Sequence, residues 1–285
     1  MSIITFWGSV HGQVGTTSNV LALSSIIGME YATRTLVSHT QHTRSTLEKS
    51  FEKDTRQNKQ LIEMSDMGLD SLERLARNRK LTAESIKDSS LFVVKDRLDL
   101  LAGTEKNVGI GSIRDADAVA HVFASAKNYY DNILIDTHSG KNDAITNRIL
   151  DMSDLLIVNL NQNINVLEEF FNGKDYMEIF DNKPTVVLLG QYDPASKYTV
   201  SKISRYFGKK LPIMAIPYNT DFRDACNDKS AMSFFKKNVE VKKGHQNYYF
   251  MAEVRKVARQ ILAMSGVSVD VKDLRNVPLL MRGGR

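Results

Sequence analysis

Thr16, Thr17 and Ser18 follow the turn Gly8-Ser9-Val10-His11-Gly12-Gln13-Val14-Gly15. The apolar run Ile3-Ile4-Thr5-Phe6-Trp7 precedes that turn, and a second apolar run from Val20 to Ile27 comes after it. A strand, a glycine-containing turn and a helix start in this order aim main-chain N–H groups and a positive helix end at one point, which suits phosphate. The pattern such a loop normally shows is G-x-x-x-x-G-K-[S/T]. Setting Gly15 at the second glycine puts Val10 at the first, Thr16 at the lysine and Thr17 at the magnesium-binding hydroxyl. Phosphate binding by the main chain therefore survives this sequence; phosphate binding by a loop lysine does not. The competing reading is a plain glycine turn whose Thr16 or Thr17 caps the first helical amides. This segment alone leaves both open.

A second segment tips the balance. Tyr130-Asp131-Asn132-Ile133-Leu134-Ile135-Asp136-Thr137-His138-Ser139-Gly140 reads as an apolar strand ending in a carboxylate, then a glycine-containing loop. Asp136 there can hold the water shell of a magnesium ion opposite the Thr17 hydroxyl. A strand-end aspartate can also cap a helix, but the two segments together favour nucleotide. His39, His42 and His138 match no zinc spacing and read as loop or surface residues. Cys226 is the only cysteine, which fits a reducing cytosol and a small core or near-surface role. Trp7 is expected to end a buried strand with its N–H on a partner.

The elements that must position these residues alternate. Strand-like runs are Ile3 to Trp7, Thr35 to Val37, Leu91 to Val94, Ile133 to Asp136, Leu155 to Leu160, Thr185 to Leu189 and Ile213 to Ile216. Helical stretches lie between them, including 112–129 and 198–207, and a last helix is expected over 251–264. The polar stretch 43–90 reads as helices between the second and third strands. Such alternation predicts an α/β fold, a doubly wound, mostly parallel sheet flanked by helices, with ligands beyond the carboxyl ends of the strands. At 285 residues a single domain over 1–265 with a tail over 266–285 is expected. Hydrophobic residues at 42% and the absence of a long apolar stretch point away from a membrane-spanning protein. The first strand begins almost at once, so no signal peptide is expected and the location reads as cytoplasmic. The net charge of +5 permits contact with nucleic acid or anionic lipid without demanding it.

The chain resembles the ParA/MinD superfamily of deviant Walker A ATPases over nearly its whole length. That family's loop, K-G-G-x-G-K-T-T, falls on His11-Gly12-Gln13-Val14-Gly15-Thr16-Thr17-Ser18, and its switch, Y-D-x-x-x-x-D-T-x-x-G, falls on Tyr130 to Gly140. Leu188 to Asp193 resembles the strand that normally ends near a base-contacting asparagine. Ile216-Pro217-Tyr218-Asn219 resembles the segment that lies against adenine. Within the family the likeness is to TadZ/CpaE-like proteins of tight-adherence pilus systems, on the stretch from Gln191 to Tyr206 and on Leu98 to Gly103. The resemblance implies ATP and magnesium as ligands. Residues 11–18, Pro217, Tyr218 and Asn219 would hold the nucleotide, and Thr17 and Asp136 the metal. It also implies a homodimer, with partners in a pilus or secretion apparatus that bring the protein to a membrane peripherally.

The departures weigh as much as the matches. The family's two loop lysines are replaced by Thr16 and His11, and Val37-Ser38-His39-Thr40-Gln41 offers no carboxylate to place the attacking water. Threonine carries no charge, and histidine is a cation only when protonated. Each lost part is worth on the order of 100-fold in turnover. Weak or absent hydrolysis is therefore expected, with a static nucleotide clamp and an empty pocket both open. Alternatives are a slow ATPase in which Lys141 fills the gap, and a DNA-partitioning protein; nucleic acid is disfavoured because no clustered basic stripe is visible.

Overall fold

Runs of β-branched residues and leucine bury both faces of a strand, so they belong inside a parallel sheet. The computed structural model places them there and describes residues 1–41, 45–55, 67–103, 115–208 and 211–267. In chain order the elements begin β1 (Ser2–Gly8), α1 (Thr16–Glu30), β2 (Thr35–His39), α2 (Leu47–Ser50), α3 (Leu69–Arg77) and α4 (Ala83–Asp88). There follow β3 (Leu91–Val94), β4 (Leu98–Leu101), α5 (Ala116–Ala126), β5 (Asn132–Asp136), α6 (Ala144–Met152) and β6 (Leu155–Leu160). The remainder is α7 (Ile164–Phe171), α8 (Ile179–Asn182), β7 (Thr185–Tyr192), α9 (Val200–Tyr206), β8 (Ile213–Pro217), α10 (Thr220–Asn227), α11 (Ala231–Asn238) and α12 (Tyr248–Met264).

All eight strands join one sheet in the order β3-β4-β2-β5-β1-β6-β7-β8, parallel except for β3 against β4. Seven were expected; β4 was not. It has only four residues and includes Asp99, which the sheet tolerates because the Tyr130 hydroxyl donates to its Oδ2 at 2.8 Å. The helix expected over 112–129 spans Ala116–Ala126, where Asp115 caps the amides of Asp117 and Ala118. The last helix starts earlier than expected, at Tyr248. His42 and residues 268–285, most of the expected tail, lie outside the described residues.

Strand periodicity sorts the core. Ile4 and Phe6 of β1 face a layer built from α1, α11 and α12, with Val20, Ile27, Phe235 and Val254 among its buried members. Trp7 faces the opposite side with Val158 and Phe170, and Ile3 joins Val119 and Phe123 of α5 there. This two-residue alternation makes β1 the central partition of a three-layer stack. Its neighbours are β5 and β6, with Phe6 in register with Asp136 and Gly8 with Asn159. The loops after β1 and β5 therefore emerge side by side at the carboxyl edge of the sheet. Among the described residues no helix is long and apolar enough to cross a membrane.

Candidate functional site

The turn after β1 ends at Gly15, whose φ of 71° and ψ of 26° are left-handed and strain-free only for glycine. Gly15 is the N-cap of α1 and supplies no capping side chain, so neither Thr16 nor Thr17 caps the helix. Among the described residues, the main-chain amides from Ser9 to Ser18 donate to no protein acceptor. The Ser9 hydroxyl is likewise buried without a partner. A run of unpaired donors at a helix start is a ready anion cradle. A β-carbon on Gly8 would stand 2.8 Å from the Thr16 Oγ1, so that hydroxyl is folded back against the end of β1.

The loop is held from below by β6 and β7. Asn161 Nδ2 donates to the Gln13 carbonyl at 3.2 Å, and Asn19 Nδ2 donates to Asn159 Oδ1 at 2.8 Å. Asn159 Nδ2 in turn donates to the Trp7 carbonyl at 3.1 Å. The Trp7 indole N–H donates to the Gly140 carbonyl at 2.9 Å, as expected of a buried strand-end tryptophan, and so ties the first loop to the second.

Thr17 Oγ1 donates to Asp136 Oδ2 at 2.6 Å. Asp136 is fully buried and caps no helix. Burial pushes its carboxyl up to about 6, against hydrogen bonds from Thr17 and Gln41 and the attraction of His39, while the Glu48 charge adds to the rise. A carboxylate so destabilised gains most from a cation.

Gln41, just past β2, was sought as a carboxylate and overlooked as an amide. Its Nε2 donates to the Thr137 carbonyl at 2.8 Å and to Asp136 Oδ1 at 3.3 Å, while its Oε1 faces His138 Nδ1 at 3.3 Å. The His138 ring lies 5.7 Å from that of His11, which is exposed at the start of the loop. His39 Nε2 meets Glu48 Oε1 at 2.5 Å, and Glu48 also accepts from the Gly103 amide at 2.9 Å. Burial would raise Glu48, but the hydrogen bonds from His39 and Gly103 and the attraction of His39 win and hold it below its ordinary value. Lys141 is turned elsewhere: its ammonium donates to the carbonyls of Lys174 and Tyr176, the latter at 3.2 Å. In this structure it does not fill the place of the missing loop lysine.

Beside the first turn of α1 lies a cavity of about 320 Å³, lined by Ser18, Asn19, Ile216, Pro217, Tyr218 and Phe222 among others. That size is within the range of small-molecule sites. The sheet thus brings Pro217 and Tyr218 to the same hollow as Ser18. Asn219 lines it too, but its side chain is committed: Oδ1 accepts from the Phe222 amide at 2.8 Å and Nδ2 donates to Asn247 at 2.9 Å. Gln191 of β7, which the sequence marked only as part of a family-like stretch, leans on Gly15, its Nε2 3.3 Å from where a β-carbon would sit. Its φ of 51° marks it as one of the described non-glycine residues with left-handed backbone.

Unpaired amides, a hydroxyl–carboxylate pair and an adjoining half-apolar cavity fit a magnesium nucleotide. No protein-family model matches the chain, and no curated protein matches it. Solved structures do. The ParA family ATPase of Chlorobium tepidum TLS superposes with a TM-score of 0.70 at 15% identity, covering 91% of this chain and 98% of that one. The cell division ATPase MinD of Pyrococcus furiosus gives 0.67 at 18% identity, over 93% of this chain and 100% of that one. A putative plasmid partition protein of Borrelia burgdorferi, bound to AMPPNP, gives 0.61 at 14%, over 92% and 99%. The fold is that of a P-loop NTPase. Within that class its eight-stranded, mostly parallel sheet has the ParA/MinD arrangement.

Proposed function

We propose that this protein is a ParA/MinD-like factor that binds Mg-ATP with weak or absent hydrolysis and positions or scaffolds a pilus or secretion assembly. The observation that carries the reading is the 2.6 Å hydrogen bond from Thr17 to buried Asp136, set beside loop amides without protein acceptors. The amides of residues 11–18 would take the phosphates, Thr17 and Asp136 the metal, and Pro217, Tyr218 and the Asn219 backbone the base. Magnesium would supply the phosphate neutralisation that no loop side chain provides.

Hydrolysis asks for more than this chain offers. Thr16 is uncharged and folded away, and Gln41 is neutral and already occupied by Asp136 and Thr137. Without a charge clamp or a carboxylate to orient water, nucleotide acts as a structural pin. A homodimer, a cytoplasmic location and membrane contact only through partners complete the proposal. The TadZ/CpaE-like stretches support the pilus assignment, and the solved MinC:MinD complex of Aquifex aeolicus, with a TM-score of 0.67, supports partner binding by this fold. A DNA-partitioning role is the second reading, resting on the net charge of +5 and the plasmid partition neighbours. Steeply salt-dependent DNA binding would favour it.

The test is calorimetric titration with Mg-ATP, paired with sedimentation in its presence and absence. One nucleotide per chain, a nucleotide-dependent dimer and background phosphate release are expected. Absence of binding by heat and by displacement of a fluorescent ATP analogue would refute the reading.

A further inference from the structure

The cavity beside Ser18 has a charge pattern that the proposal above leaves unused. Among the described residues its lining includes three cations, Lys49, Arg223 and Lys229, and no carboxylate. Lys229 is paired with Glu52 at 2.7 Å, and the Arg223 guanidinium lies 5.9 Å from the centre of the Tyr218 ring. Lys49 is exposed and, among the described residues, its ammonium has no acidic partner. Its backbone is nevertheless well fixed. Leu47 and Phe51 are fully buried, and between them Glu48 reaches back to His39 and the Gly103 amide. Ser50 Oγ donates to the Thr46 carbonyl at 2.7 Å. A helix of four residues is not stable alone, so these tertiary contacts are what present Lys49 to the cavity.

We propose that Lys49 supplies, from α2, the positive charge that the phosphate loop lacks, and so makes the cavity select nucleoside di- and triphosphates over nucleosides. The inference rests on the nucleotide reading and adds a residue to it. From the described residues, a polyphosphate entering this site meets partial charges at the loop amides and full positive charges at the cavity wall. Charge-assisted hydrogen bonds are about twice as strong as neutral ones. A lysine, as a flexible point charge, can make them without a preset bidentate geometry. Because Lys49 comes from the cavity and not from the loop, it strengthens ground-state binding without restoring turnover.

The experiment is calorimetric titration of the full chain with Mg-ATP, Mg-ADP and adenosine. It compares wild type with Lys49→Ala, Lys49→Arg and the distant control Lys242→Ala, each verified as folded by circular dichroism. Lys49→Ala should weaken Mg-ATP and Mg-ADP roughly tenfold or more while adenosine is unchanged. Lys49→Arg should stay near wild type, and the dependence of binding on salt should flatten in the alanine variant alone. Wild-type binding of Mg-ATP with no loss in Lys49→Ala would overturn this inference and leave the nucleotide reading standing. Equal loss of adenosine would make Lys49 a packing residue and also overturn it. No binding by wild type would overturn both.

Discussion

The Val14 carbonyl lies against Gly190, only 2.3 Å from the place where a β-carbon on that residue would stand. Asn19 Nδ2 is 3.0 Å from the same point. The loop after β1 thus rests directly on the backbone of β7, and its shape depends on a missing side chain two strands away from β1.

Gly190→Ala should consequently push the loop off β7 rather than be absorbed by a side-chain rotation, since one obstructing atom belongs to the backbone. Overpacking of this kind costs about 1–3 kcal/mol. Urea denaturation should show the loss, and Mg-ATP affinity should fall with it. A variant with wild-type stability and affinity would mean that the loop is not held there.

Asp136 should make the nucleotide-free protein less stable as the pH rises. Its carboxyl is raised from an ordinary 3.8 to about 6 in the fold. Between those values the folded chain keeps a proton that the unfolded chain has released, so stability falls through that window and stays lower above it. Asp136→Asn should lack this fall, gaining on the order of 2 kcal/mol on wild type between pH 4 and 7. Parallel stability–pH curves for the two proteins would contradict the assigned burial cost. Magnesium nucleotide, which needs the ionised carboxylate, should bind better above about pH 6.

Glu48 behaves oppositely. Its carboxyl is held below the ordinary value, so the stability it contributes is present above about pH 4.5 and disappears as the pH falls through its folded value. Glu48→Gln should cost about 1–2 kcal/mol at pH 7. The gap to wild type should narrow progressively as the pH falls below 4.5, as a series of thermal melts from pH 7 into acid would show. A gap that persists in acid would assign the loss to packing instead of charge.

Thr16→Lys should raise Mg-ATP affinity about tenfold, one charge-assisted contact's worth. Phosphate release should remain at background, because Gln41 still leaves no carboxylate to orient water. Robust multiple turnover in Thr16→Lys would show that charge alone was lacking.

Much of this architecture was legible in the residues. Seven of the eight strands, the order of loop and helix at Gly8 to Ser18, the carboxylate at the end of β5 and the buried Trp7 follow from local patterns of period two and from glycine placement. Short β4 was not legible, because Asp99 breaks the apolar run and its compensating hydroxyl comes from Tyr130, 31 residues away. The same limit hid Glu48 and Lys49 altogether, and the contacts that Gln41 and Gln191 make. None belongs to a recognisable spacing, and each acquires its setting from a strand or helix distant in the chain.

By itself the sequence determined the layered α/β class, the missing loop lysine and the pairing of a hydroxyl-bearing helix start with a strand-end aspartate, since all of these are local properties of composition and order. Only the tertiary structure decided that Thr16 folds back on β1, that Lys141 is engaged elsewhere and that Asn219 is largely a capping residue. It alone set Gln41 on Asp136 and three cations around a cavity with no carboxylate among its described lining residues. Those outcomes depend on which strands lie side by side, and that follows from the burial of whole faces rather than from any short run of residues.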